Sequence, residues 1–467
     1  MNYRRPLVAR GVLGRVANGE NMTAIARDIP NRRRSLEIAD PTKFGFFWLS
    51  AFFVVYCARP EDWIPGLRMI PLAKITAILT ILGWFTTVGR TKRTFKDVPQ
   101  EGKLLLAMIV LLFVGAFLSP VWKGGAISQT VNFSKVFIAW ILAFLLINTF
   151  DRFRWIIFIQ TVSVVLISVV SIIKGRHQPR LEGVIGGIYS NPNDLAFAIV
   201  LTLPFALAFL ITGRGFFKKM LWFVGILTML AALFLTASRG GFIDLVITGA
   251  VMMWHFGIRG KRRTLVAGTA LACIVLMVVA GGKLYARFAA LSGNSATEES
   301  AYGSFEQRKY LMQRALVGIE HYPVLGVGIN NFNSYSGVWR EVHMTYLQTC
   351  VEGGIPVLIL YLMFFGRGFK NLKILRKTPD LDEQTVLFVG ALHSSLVGFA
   401  IGALFAPEAY QFFPYFAIAF TAALLQTVKE REQGLAPAPP LQPAHKRRHS
   451  REVYANYGRA DAAARLR

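Results

Sequence analysis

Three arginines and one histidine are the residues of this chain whose types and settings could do chemistry. Arg239 sits in Ser238-Arg239-Gly240-Gly241, a short turn between two long apolar runs. The glycines allow close backbone approach, and the helix that follows would offer free N–H groups to an anion. Arg308 falls at the centre of an apolar helical sector made by Phe305, Leu311, Met312, Ala315, Leu316 and Ile319, with Arg314 outside it. A guanidinium on such a face needs a partner, and its planar fork matches phosphate. His343 stands where the next apolar run begins, and an imidazole titrating near working pH suits a general base. Arg180 supplies another fixed positive charge. It is followed by Asn191-Pro192-Asn193-Asp194, a turn that also caps the next helix.

Each of these residues has a plainer alternative. Arg239 could pair with Asp244 or snorkel; Arg308 could bridge to Glu298, Glu299 or Glu306; His343 could be an interfacial ring or a cap contact. Glu341 could orient His343, although residues two apart on a helix do not face each other. His255, His321 and His393 have weaker claims. Neither HxxH nor HExxH spacing occurs, so neither a metal site nor a cofactor is expected. The cytosolic segments hold no Walker motif, GxGxxG or Asp-rich signature, so the energy for a reaction must arrive with the substrate.

The elements that must position these groups are membrane spans. Hydrophobic residues make up 54% of the 467 and charged residues 17%, too little charge for a soluble chain of this length. Apolar windows long enough to cross ~30 Å of hydrocarbon recur near 44–58, 70–89, 104–119, 131–148, 155–173, 195–212, 220–236, 241–258, 264–280, 345–364, 386–405 and 411–428. The expected fold is an all-α integral membrane protein of about twelve spans. A net charge of +26 could suggest nucleic acid, but its distribution does not. Most Lys and Arg fall on the two tails and the even-numbered connections, the positive-inside pattern. That pattern places both termini in the cytoplasm and turns 59–69, 120–130, 174–194, 237–240, 281–343 and 406–410 outward. Arg180, Arg239, Arg308 and His343 then share the outward side.

Three parts follow: a basic cytoplasmic tail over 1–43, a membrane domain over 44–428 and a basic, Pro/Ala-rich cytoplasmic tail over 429–467. Within the outward 281–343 segment, Ser304 and Gln307 have capping-box spacing, which predicts a helix from Phe305 to His321 with Ser304 as its N-cap. Pro323, Gly326, Gly328 and Asn330-Asn331 then give a turn-rich return to the membrane. Cys57, Cys273 and Cys350 lie in or beside apolar runs and suggest no disulfide framework.

On these residues the chain resembles the O-antigen ligase and polymerase superfamily. The matching stretches are Asn191-Pro192-Asn193, Ser238-Arg239-Gly240-Gly241, Arg308, Tyr322-Pro323-Val324-Leu325-Gly326-Val327-Gly328, and His343 with Tyr346-Leu347 and Glu352-Gly353-Gly354. The resemblance spans about 185–365 and implies a GT-C-like, metal-independent, inverting glycosyltransferase of the bacterial inner membrane, acting at the periplasmic face in lipopolysaccharide or other polysaccharide biosynthesis. It implies a glycan donor on undecaprenyl diphosphate, with a lipid A core sugar, another glycan chain or a protein hydroxyl as acceptor. Carried over, Arg239 and Arg308 hold the diphosphate, His343 activates or positions the acceptor hydroxyl, and Arg180, Asn191 and Asn193 line the donor site. The family often has Asn after this His; here it is Met344. Membrane lipids are expected partners and nucleic acid is not.

A polymerase extending the glycan on its carrier would share these residues. A transporter or flippase of twelve spans is the alternative from another class, but the two halves look unrelated and charges in mid-span are nearly absent.

Overall fold

The computed structural model describes residues 40–88, 93–175, 180–181, 183, 189, 191–268 and 296–434. Most of both tails, most of the span expected at 264–280 and the start of the 281–343 segment lie outside the described residues. The chain is an all-α, multi-pass membrane protein. Its helices are α1 Lys43–Ala58, α2 Leu72–Phe85, α3 Gln100–Phe117, α4 Lys123–Leu146, α5 Phe150–Lys174, α6 Pro192–Thr212, α7 Phe216–Thr236, α8 Arg239–Met252, α9 Ala296–His321, α10 Thr345–Gly353, α11 Ile355–Lys377, α12 Glu383–Gly402 and α13 Phe412–Glu432. Among the described residues nine helices are long and apolar enough to cross a membrane: α3 to α7, α8 with its π-helical extension Met253–Ile258, and α11 to α13.

The helices α1 and α2 are apolar but shorter, with 16 and 14 residues, roughly 24 and 21 Å at 1.5 Å per residue. They lie against each other through small residues. A Cβ on Gly83 would stand 2.7 Å from the Gly45 Cα, the close approach that lets apolar helices associate in lipid.

The centre of the bundle is α6. Leu195 to Ala206 are buried without a break, as expected of a helix that is apolar all round and enclosed by others. It packs against α5, α7, α8 and α12. By contrast α7 keeps Phe216, Phe217, Leu221 and Phe223 exposed, the surface a lipid-facing helix presents.

Ion pairs tie one end of the bundle together. Arg152 at the start of α5 bonds Asp40 at 2.6 Å, Arg93 bonds Glu430 at the end of α13 at 2.7 Å, and Arg367 of α11 reaches Glu101 at 3.2 Å. The opposite end gathers the connections expected to share one side. Tyr189 Oη donates to Cys57 O at 3.1 Å, Ser119 Oγ to Val327 O at 2.6 Å, Ser238 Oγ to Asn193 Oδ1 at 2.8 Å and Thr345 N to Ala403 O at 2.8 Å.

Two expectations are corrected here. The apolar run 345–364 is not one span: it breaks at Gly354 (φ 84°), leaving the nine-residue α10 and then the spanning α11. Pro356 near the first position of α11 marks that start. The helix expected to begin after Ser304 instead begins at Ala296. Ser304 therefore sits inside α9, and the capping-box spacing is coincidental.

Candidate functional site

The site is assembled on the end of the bundle that holds 237–238, 322–345 and 403–411. A small apolar core of Leu311, Ala315, Val327, Phe332, Val342 and Val351 clamps α9 onto α10 and the loops between them. Two glycine-rich stretches interlock beneath it. Val327 N donates to Val351 O and Gly328 N to Glu352 O, both at 2.9 Å, while Ile355 N donates to Pro323 O at 2.7 Å. Backbone lies directly on backbone. Gly326 (φ 65°) abuts the Glu352 and Gly353 main chain, and Gly354 abuts Val324 and Leu325. Both positions combine a left-handed conformation with no room for a Cβ, so both require glycine.

This clamp sets the inward face of α9. Leu311, Ala315 and Gly318 are buried, and Arg308 lies half-buried one turn earlier on the same face. Met312 and Leu316, expected on that face, are exposed. Arg314, expected outside it, turns inward: its Nη2 donates to Tyr335 O at 3.1 Å and its guanidinium stacks 5.0 Å from the Tyr335 ring. The inner stripe thus follows 308, 311, 315 and 318, a narrower track than the apolar sector implied.

Arg239 opens α8. Ser238 caps that helix, its Oγ accepting from Gly241 N at 3.2 Å while donating to Asn193. Asp244 does not pair with Arg239. It is buried and accepts from Thr248 Oγ1 at 3.1 Å. Among the described side chains neither Arg239 nor Arg308 has a carboxylate within salt-bridge distance; those of Glu298 and Glu299, two alternatives for Arg308, lie outside that description. Glu306, one alternative for Arg308, makes no such pair. Burial, and then the charge of Arg239, lower the pKa of Arg308. The two guanidiniums therefore lie within electrostatic range of each other.

His343 completes the group. Burial first, then the charges of Arg308 and Arg340, bring its pKa down to about 4. Its Nδ1 is buried, with no hydrogen-bond partner among the described residues. A neutral ring with an unengaged nitrogen is what a proton acceptor needs. Glu341 does not orient it; the Asn333 side chain faces that carboxyl instead.

Arg180 and the two asparagines stand on the rim. Arg180 Nε donates to Thr236 O at 3.1 Å, at the end of α7 and three residues before Arg239. Asn191 Oδ1 accepts from Asn193 N at 2.9 Å as the cap of α6, and Asn193 Oδ1 holds Ser238. In this structure Asn191 and Asn193 shape the turn that carries Arg239.

A group of fully and partly buried carboxyls around Glu341 was not recognised as a group in the sequence. Burial raises the pKa of Glu341. Burial, with Asp194 and Glu341 nearby, holds Glu408 well above the usual carboxylate range. Asp194 Oδ1 is buried with no hydrogen-bond partner among the described residues, and Glu352 lies against the Tyr410 hydroxyl. A lone carboxylate in the apolar connection Ala406-Pro407-Glu408-Ala409 was the available signal for Glu408. The described residues contain no group of three or more His, Cys, Asp or Glu placed to hold a metal ion.

Residues 224–362 match the family model described as O-antigen ligase. The match starts within α7 and ends in α11. It includes Arg239, Arg308, His343 and both glycine stretches, whereas Arg180, Asn191 and Asn193 precede it. For this part of the chain the resemblance to the O-antigen ligase superfamily is shown, and with it glycosyl transfer of the ligase or polymerase kind is supported. No curated protein matches the chain.

Proposed function

With its 224–362 stretch in the O-antigen ligase superfamily, we propose that this protein transfers a glycan from undecaprenyl diphosphate to an acceptor hydroxyl, with inversion, at the periplasmic face of a bacterial inner membrane. The acceptor is a lipid A core sugar, another glycan chain or a protein. The observation that carries the reading is that Arg308 lies within electrostatic range of both Arg239 and His343 at one end of the bundle, with no carboxylate within salt-bridge distance of either arginine among the described side chains.

In the proposed step the acceptor oxygen attacks C1 of the donor sugar. The C1–O bond to the diphosphate breaks, and the hydroxyl proton passes to His343. Charge accumulates on the departing diphosphate, where Arg239 and Arg308 hold it. A preorganised donor at such a position contributes about 3–4 kcal/mol to the transition state. Diphosphate leaves without protonation, so the ring is needed only on the acceptor side, where a base adds about 10²–10⁴-fold. Arg180 extends the cationic rim towards the donor's outer phosphate. The Asn191 and Asn193 turn fixes Arg239 through Ser238.

Purified protein supplied with undecaprenyl-diphosphate-linked glycan and each acceptor class tests the reading by mass. Gain of the glycan mass on one acceptor, with release of undecaprenyl diphosphate, is the expected outcome. No mass gain on any acceptor would remove it.

A further inference from the structure

The far end of α8 carries a second cationic site. From Arg239 to His255 is sixteen residues of helix, roughly 24 Å at 1.5 Å per residue, so this end is remote from His343. Here α8 widens into the π-helical turn Met253–Ile258, in which Arg259 N bonds Trp254 O at 2.9 Å and Arg262 N bonds Gly257 O at 2.8 Å. Such turns recur at functional positions. Beside it opens a cavity of about 360 Å³ between α8, the end of α11 and the start of α12. That volume is in the range of small-ligand sites.

The lining is divided. Arg259, Arg262 and Arg376 bring three guanidiniums, and His255 one imidazole; Val386 and Leu387 form an apolar wall. His255 is backed by His393, Nε2 to Nδ1 at 3.0 Å. The nearby acids are largely engaged. Glu383 bonds Arg262 at 2.7 Å. Asp382 caps α12 through Thr385 N at 3.0 Å and faces Arg431 at 4.0 Å. Arg376 Nε makes a long bond to Leu372 O at 3.4 Å. Among the described residues no carboxylate lies within salt-bridge distance of Arg259 or Arg376.

We propose that this cavity binds a phosphate-ester anion, the headgroup of an anionic phospholipid, between the guanidiniums of Arg259, Arg262 and Arg376. The guanidinium fork selects phosphate. The apolar wall and the position at the end of three spanning helices favour a lipid over a free ion, because a lipid can seat its phosphate and its first methylenes together. The site is independent of glycan transfer, so its test does not read that activity.

The full-length protein in detergent is titrated with phosphatidylglycerol, with phosphatidylcholine, and with inorganic phosphate, and thermal unfolding is followed. Phosphatidylglycerol raises the unfolding midpoint of the wild type and phosphatidylcholine does not. The half-saturating concentration rises at least tenfold in Arg259→Gln/Arg376→Gln. It rises likewise in Val386→Glu, which places a carboxylate at an exposed point of the wall and leaves the arginines in place. Unliganded midpoints close to wild type show that the variants fold. Saturation by inorganic phosphate alone, lost in the same variants, would keep the phosphate site and replace lipid by free anion. Wild-type response to phosphatidylglycerol in both variants, or no response of the wild type to either anion, overturns the proposal.

Discussion

Arg239 and Arg308 come from different elements, the first residue of α8 and the inward face of α9, and stand near enough that the charge of one adds to burial in lowering the pKa of the other. Two like charges held together cost free energy unless an anion joins them. Inorganic diphosphate is therefore expected to inhibit competitively with the lipid-linked donor. Arg308→Ala is expected to raise its inhibition constant at least tenfold. Inhibition that is non-competitive, or unchanged in the variant, would place the diphosphate elsewhere.

His343 gives a pH signature. In the free protein its ring stays neutral down to about pH 4, so the acid limb of kcat/KM lies near that pH. A bound diphosphate offsets the charge of Arg308 and raises the ring's pKa. The acid limb of kcat, which reports the complex, then lies at higher pH than that of kcat/KM. His343→Ala should lower kcat by about 10²–10⁴-fold while changing donor affinity little. Equal limbs, or a variant with wild-type kcat, would make the ring structural.

The interlocked glycines yield a stability prediction. Gly354→Ala and Gly326→Ala each force a Cβ into main chain from a left-handed conformation. Overpacking of this kind costs about 1–3 kcal/mol or more. Both variants should unfold several degrees below wild type. Gly366→Ala, where a Cβ meets nothing within 4 Å, serves as the control. Equal midpoints for all three would show that the clamp is looser than its geometry implies.

How much of this could be read in the sequence depends on the range of each signal. Spans are written in long apolar runs: ten of the twelve expected regions each fall on one described helix, the run 345–364 is split between two, and the run 264–280 lies mostly outside the described residues. The break at Gly354 was hidden because hydropathy averages across a glycine, although Gly354 and Pro356 marked it. Arg308 was found on an inward face because helical periodicity is local. Arg314 was misplaced because its partner, Tyr335, lies in a different element. Glu408 and Arg340 went unnoticed because their importance arises only when the loops at 341 and 408 are brought together, a long-range fact that no local pattern encodes.

Glu408 offers a test of that convergence. The unfolded side chain ionises near its ordinary value of 4.5, while burial and the neighbouring Asp194 and Glu341 keep the folded one protonated to much higher pH. Above pH 4.5 the folded state therefore binds more protons than the unfolded, and stability falls as pH rises. Glu408→Gln, which is always neutral, should show a flatter decline in unfolding midpoint between about pH 5 and 8. Parallel profiles for variant and wild type would mean that Glu408 is not in that buried group.

The central claim, that Arg239 and Arg308 hold a lipid diphosphate during glycan transfer, is tested most directly by single-turnover transfer from undecaprenyl-diphosphate-linked glycan with the two single alanine variants. Each is expected to insert and fold yet to lose at least about 10²-fold in rate, the effect of removing one preorganised donor. Wild-type rates in both Arg239→Ala and Arg308→Ala would contradict the account.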